Sequence, residues 1–257
     1  MVAGLTSPLL FFVFDVFLWY IAEGGIMKCL ELIKVSKILK INGEEKIIFN
    51  NFSFDFEDGK IYVLKFKQNL LRKSLFKCLG LFDFFSDGRV RVCKEDINRK
   101  KSRYIRQKYM SFILTENYLV DTLTLKENIL LPVLYANSVD TENTLSLRDI
   151  LMMVGFNSYQ DRLVKNMNKT DLRKALVARA MIVNPKIVFV DGVLNCDRLM
   201  QNMLKKIAGL DKCIIIFTQN DSYDKYSDYI ICFDNQKVIV NNTVNKTSLV
   251  NGEYYGL

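Results

Sequence analysis

From Met27 onward, short apolar runs alternate with stretches whose apolar positions recur at helical spacing, the pattern of an α/β protein. Residues 30–40 and 46–56 read as two strands of an antiparallel edge, joined by the polar turn Asn42, Gly43, Glu44, Glu45. Gly59 and Lys60 lead into an apolar strand over 61–66, followed by a polar connection and an amphipathic helix over 70–81. Strand, short loop and helix in succession is the setting in which phosphate-binding loops occur. Residues 122–166 are helix-rich, with 145–154 the clearest amphipathic piece, and predict a helical subdomain. A helix over 171–182 runs through Asn184 and Pro185 into a strand over 186–190. Its unbroken apolar character marks it as a parallel strand covered on both faces, and it ends on Asp191. A helix over about 198–208, a strand over 213–218 and a hairpin over 229–240 complete the sheet.

The first 26 residues differ from the rest. Residues 8–22 are almost wholly apolar, with Asp15 in the middle and no Lys or Arg before them. A signal peptide needs a basic start and a spanning helix about 20 apolar residues, and this segment meets neither requirement. It is expected to be an untranslated stretch upstream of a start at Met27, or the remnant of a membrane segment. Residues 27–257 are then one domain, with its helical subdomain at about 115–170.

Composition narrows the chemistry. The 257 residues are 50% hydrophobic, enough to bury the core of one α/β domain. Histidine is absent, which excludes Ser-His-Asp catalysis and a His-ligated zinc site. The six cysteines form no CxxC pair and several sit in apolar runs, as small buried hydrophobes of a reducing compartment do. A net charge of +8 permits an anionic partner. The densest basic run, Arg99, Lys100, Lys101, Arg103, Arg106 and Lys108, has only Tyr104 and Tyr109 among it, so a solvated loop or helix face is favoured over a nucleic-acid site.

Four strings, in one order and at one spacing, carry a resemblance. Residues 177–191 (VARAMIVNPKIVFVD) hold "ARA", "NPKI" and a strand ending in Asp; residues 124–132 read TLKENILLP, 86–90 SDGRV and 225–228 KYSD. Over roughly residues 28–240 the chain resembles the nucleotide-binding subunits of ABC transporters, of the lipoprotein-release and macrolide-export type. The resemblance implies a P-loop NTPase-like mixed sheet with flanking helices, an antiparallel β edge and a helical subdomain. It also implies ATP and Mg2+ as cofactors, a permease and a second ATPase subunit as partners, and a peripheral place on the cytoplasmic face of the membrane.

The family's chemical positions are mostly replaced. Its GxxxxGK[ST] loop lets bare backbone N–H groups wrap phosphates while Lys neutralises them and Ser or Thr holds magnesium. Here that place reads FKQNLLRKS over 66–74, without a glycine. Counted ungapped from Gly59, the family's Lys falls on Arg72 and its Ser on Lys73; a one-residue insertion would place them on Lys73 and Ser74. Both registers stay open, and in both Leu70 and Leu71 put side chains where bare backbone is needed. Thr115 stands at the Q-loop glutamine, and MNKTD over 167–171 replaces the LSGGQ signature, with Thr170 or Asp171 expected to cap the helix. Asp191 matches the magnesium-holding aspartate of the Walker B strand, but Gly192 follows it where the water-activating Glu belongs. Gln219 replaces the switch histidine, and Asp197 keeps the place of the D-loop aspartate. The adenine-stacking aromatic is replaced by Ile38 or Leu39.

Scaffold strings survive and chemical positions do not. The leading expectation is a pseudo-ATPase that supports a permease or an active sister ATPase. The alternatives are a weak ATPase energising export of a peptide, lipoprotein or drug, with Glu116 or Asp197 as substitute carboxylate, and a basic nucleic-acid-binding protein.

Overall fold

The computed structural model describes residues 27–41, 43–114, 119–135, 144–156, 161–192, 197–234, 237–243, 248–250 and 253–255. The N-terminal segment 1–26, Thr115, Glu116 and Cys196 lie outside them. The chain opens with strands β1 (Lys28–Ile41), β2 (Glu44–Glu57) and β3 (Ile61–Phe66), then helix α1 (Asn69–Leu79). Strands β4 (Asp87–Val92) and β5 (Glu95–Asp96), helix α2 (Ser102–Tyr109) and strand β6 (Met110–Ile113) follow. Helices α3 (Leu125–Tyr135), α4 (Leu147–Val154) and α5 (Lys169–Met181) occupy the helix-rich middle. Strand β7 (Ile187–Asp191), helix α6 (Arg198–Ala208) and strand β8 (Cys213–Thr218) come next. Last are β9 (Tyr229–Asp234), β10 (Lys237–Asn242), β11 (Ser248–Val250) and β12 (Glu253–Tyr255).

The antiparallel edge is a separate four-stranded sheet, order β2-β1-β4-β5, and the larger sheet has the order β12-β11-β10-β9-β3-β8-β7-β6. In the larger sheet β9, β3, β8, β7 and β6 run parallel, and β10 turns back antiparallel on β9. The predicted hairpin therefore does not end the sheet, which β11 and β12 extend.

Alternation along the central strands sorts their side chains onto two faces. Val63, Val188, Val190, Ile214 and Ile216 face a core shared with Ile129 of α3, Ile150 of α4, Ala178 of α5 and Met203 of α6. Tyr62, Leu64, Phe66, Phe189, Ile215 and Phe217 face the opposite core, filled by Phe49, Phe52, Phe54 and Phe56 of β2 and by Leu75 and Leu79 of α1. Every residue of β8 is buried, as expected of a parallel strand covered on both sides. The parallel strands therefore form a rigid middle layer whose carboxyl ends share one edge.

One local expectation changes. Helix α5 begins at Lys169, capped by Asn168 and not by Thr170 or Asp171, because Asn168 is extended and its Oδ1 accepts the Asp171 N–H at 2.8 Å. The basic run is divided between the turn before α2 and α2 itself, and three of its cations lie on aromatic rings: Arg106 on Phe82 (4.3 Å), Lys108 on Tyr109 (5.0 Å) and, just upstream, Arg99 on Phe84 (4.9 Å). Among the described residues, no helix is long and apolar enough to cross a membrane. Cys29, Cys78 and Cys213 are buried and Cys93 and Cys232 half-buried, all as free thiols.

Candidate functional site

Ligands of open α/β sheets bind at the carboxyl ends of the strands. That edge brings together the connection after β3, the first turns of α1, the end of β7 with Gly192, and the end of β8 with Gln219.

The connection from β3 to α1 consists of Lys67 and Gln68 alone, and Gln68 caps the helix without a side-chain hydrogen bond. Two residues are too few to wrap a phosphate with successive backbone N–H groups. Successive residues of a helix point about 100° apart, so Arg72, Lys73 and Ser74 cannot all face one ligand. Lys73 is exposed and Ser74 is buried against the core. Arg72 alone reaches the far side of the site, where its Nη1 pairs with the Asp191 carboxylate. Asn69 Oδ1 accepts from Arg72 Nε at 3.1 Å and fixes the guanidinium from behind. Of the two registers left open above, the ungapped one is the one whose basic residue meets Asp191.

Gly192 closes the neighbouring space. Its N–H donates to the Phe217 carbonyl at 2.8 Å, and a Cβ built on it would lie 2.6 Å from Thr218 Cβ and 2.7 Å from Phe217 O. No side chain fits there without moving β8. Gln219 Nε2 donates to the Lys67 carbonyl at 3.3 Å, which ties the end of β8 to the short connection. Asp197 accepts the Met200 N–H at 3.0 Å as the cap of α6 and pairs with Arg173 of α5 at 2.6 Å, so its carboxylate holds two helices together. Thr115 and Glu116 lie outside the described residues.

Sequence reasoning missed Lys65, one residue before the end of β3. Its ammonium is bound by Asp221 and Asp224. Burial works against that charge, but the two carboxylates outweigh it and raise the Lys65 pKa above the ordinary lysine value. A lone Lys inside an apolar strand was the available signal. The Arg72–Asp191 pair had a weaker one, since it joins positions 119 residues apart.

The surviving strings have structural work at their centres. Thr124 and Glu127 form a reciprocal capping box at the start of α3, with Thr124 N–H to Glu127 Oε2 at 2.8 Å and Glu127 N–H to Thr124 Oγ1 at 3.2 Å. The side chain of Asn128, fully buried, accepts from Val120 N–H at 2.7 Å and donates to the carbonyls of Val120, Leu123 and Thr124. Gly88 has φ +91, and a Cβ there would lie 2.5 Å from the Lys34 carbonyl oxygen. Asp228 accepts the Ile61 N–H at 2.8 Å and so anchors the start of β3.

As folded, the described residues do not fit a magnesium nucleotide: Asp191 is paired with a cation of the chain itself, the strand–helix connection is two residues long, and the position after Asp191 is closed.

The chain matches no protein-family model. It is 26% identical over 197 residues, 74% of this chain and 82% of the other, to the lipoprotein-releasing system ATP-binding protein LolD of Leptospira interrogans. It is also 26% identical over 202 residues, 75% of this chain and 79% of the other, to the bacitracin export ATP-binding protein BceA of Halalkalibacterium halodurans. The macrolide export ATP-binding/permease protein MacB of Vibrio parahaemolyticus is 22% identical over 231 residues, 86% of this chain and 35% of that longer protein. Among solved structures, a dimeric bacterial ABC transporter cassette superposes with a TM-score of 0.65 at 18% identity, covering 80% of this chain and 95% of that one. The protein cbiO1 from Clostridium perfringens, part of the ABC transporter complex cbiONQ, superposes with a TM-score of 0.70 at 13% identity, covering 84% of this chain and 88% of that one. Sequence relatives and fold agree, and the chain is a homologue of the ATP-binding subunits of ABC transporters, built on their P-loop NTPase-type cassette fold.

Proposed function

We propose that this chain is a non-hydrolysing cassette subunit, which supports a membrane permease or an active sister ATPase from the cytoplasmic face of the membrane. The observation that carries the reading is the closure at Gly192: hydrolysis needs a carboxylate to activate water beside Asp191, and the Phe217 backbone occupies the space that side chain would need. Asp197 offers no substitute, because it is committed to Arg173 and to the cap of α6. The capping box at Thr124, the Asn128 hub and the turn at Gly88 keep the scaffold that a partner would recognise, which supports retention as a structural part.

A groove beside the edge strand β6 suits such a partner. It encloses about 390 Å³ and is walled by Phe82, Met110, Phe112, Pro132 and Val133. On its floor Ser111 Oγ is buried without a hydrogen-bond partner among the described residues. Arg106 and Arg179 line the same space, and its apolar walls suit the apolar face of a partner helix.

The purified full chain should turn over ATP no faster than its Lys73→Ala/Asp191→Ala double variant. Turnover well above that control would reverse the reading in favour of a weak export ATPase.

A further inference from the structure

The Arg72–Asp191 pair sits where the end of β7 meets the first turn of α1. Both side chains are mostly buried, 11% and 17% exposed, so solvent and salt screen their attraction only in part. A guanidinium is a fixed cation with a planar fork of donors that matches a carboxylate. Asn69 orients it from the first turn of α1, so the donor is held in place before it meets Asp191. Around the pair, Gln219 is bonded to the Lys67 carbonyl and Gly192 to the Phe217 carbonyl. The ends of β3, β7 and β8 and the start of α1 are thereby joined by protein groups alone.

We propose that the Arg72 guanidinium is this chain's built-in substitute for a metal cation at Asp191, locking β7 to α1 in one state whether or not magnesium or nucleotide is present. The inference rests on the non-hydrolysing reading and names how that site is regulated: a subunit that carries its own counter-cation has no nucleotide-dependent step to make. A divalent cation approaching that carboxylate meets the Arg72 charge, and like charges at close range repel, which weakens its binding.

The experiment is a thermal melt of the full chain and of Arg72→Met, Asp191→Asn and the double variant. Each is run with millimolar magnesium chloride, with magnesium and ATP, and with sodium chloride at equal ionic strength. The wild type should melt at the same temperature in all three. Arg72→Met should fall by about 5–15 °C, because it strands a mostly buried carboxylate. It should also gain a magnesium-specific stabilisation that the double variant lacks. Asp191→Asn should fall comparably, and the double variant by little more than either single change, as two halves of one interaction do. If Arg72→Met does not fold, Arg72→Lys keeps the charge without the fork; it should melt below wild type and still ignore magnesium.

A wild type stabilised by magnesium, additive single losses, or an Arg72→Met variant indifferent to magnesium would overturn the substitution. Those outcomes are separable from failure of the functional reading, which shows as ATP turnover by the wild type above its control.

Discussion

Replacing Gly192 by alanine adds one methyl group, and its cost can be worked from the neighbours. The added Cβ would meet Thr218 Cβ at 2.6 Å and Phe217 O at 2.7 Å, whereas ordinary non-bonded contact between carbons needs about 3.5–4.0 Å. Neither neighbour can swing aside, because β8 lies between β3 and β7 and all six of its residues are buried. The strands must therefore part where Asp191 is registered against Phe217. Overpacking of this kind costs about 1–3 kcal/mol. Weakening the Gly192 N–H bond to Phe217 adds up to about 1 kcal/mol. A total near 2–4 kcal/mol corresponds to a fall in Tm of about 4–16 °C in a domain of this size. Calorimetry or urea unfolding reads it, the latter as a lower midpoint at unchanged slope. Gly209→Ala is the control: its Cβ would meet nothing nearer than 3.4 Å, so its midpoint should move by under about 1 kcal/mol. Gly192→Glu should destabilise at least as much as alanine and bring no ATP turnover. A Gly192→Ala protein that melts with the wild type, or a Gly192→Glu protein that hydrolyses ATP, would refute the closure.

Asn128→Leu removes the buried acceptor of the Val120 N–H and one of the two donors to each of the Val120, Leu123 and Thr124 carbonyls, so it should cost about 1–3 kcal/mol in urea unfolding. Thr124→Ala removes one half of the capping box and should cost about 1 kcal/mol, with frayed amides at the start of α3 by hydrogen exchange. Asp83 gives a pH signature. Burial opposes its charge, but the Phe84 N–H at 2.8 Å and the Lys37 ammonium at 3.1 Å outweigh burial and hold its carboxyl below the usual range. A depressed folded pKa stabilises above the unfolded value of about 3.9 and is lost as pH falls through the folded one. The Tm gap between wild type and Asp83→Asn should accordingly hold from neutral pH down to about pH 5 and close in stronger acid; Asp83 is half-exposed, so the gap is worth under about 1 kcal/mol.

The sequence alone determined the elements whose signals are local. The apolar run at 61–66, the helix at 198–208 and the strand at 213–218 stand at their predicted positions, because burial on both faces and a period of 3.6 residues leave marks within a few residues. It also raised the expectation of replaced chemical positions, since a missing glycine or carboxylate is visible in a string. Tertiary structure decided the rest. Gly192 reads only as a lost Glu until Phe217 and Thr218, about 25 residues on, are seen to fill its space. The choice between Arg72 and Lys73 was undecidable by counting, because two registers fit the string equally well. That Arg72 and not Lys73 meets Asp191 follows from the direction of one turn of α1 relative to the end of β7, a relation set by packing between segments far apart in the chain. Local periodicity encodes what each segment is; only the packed core fixes which side chains meet.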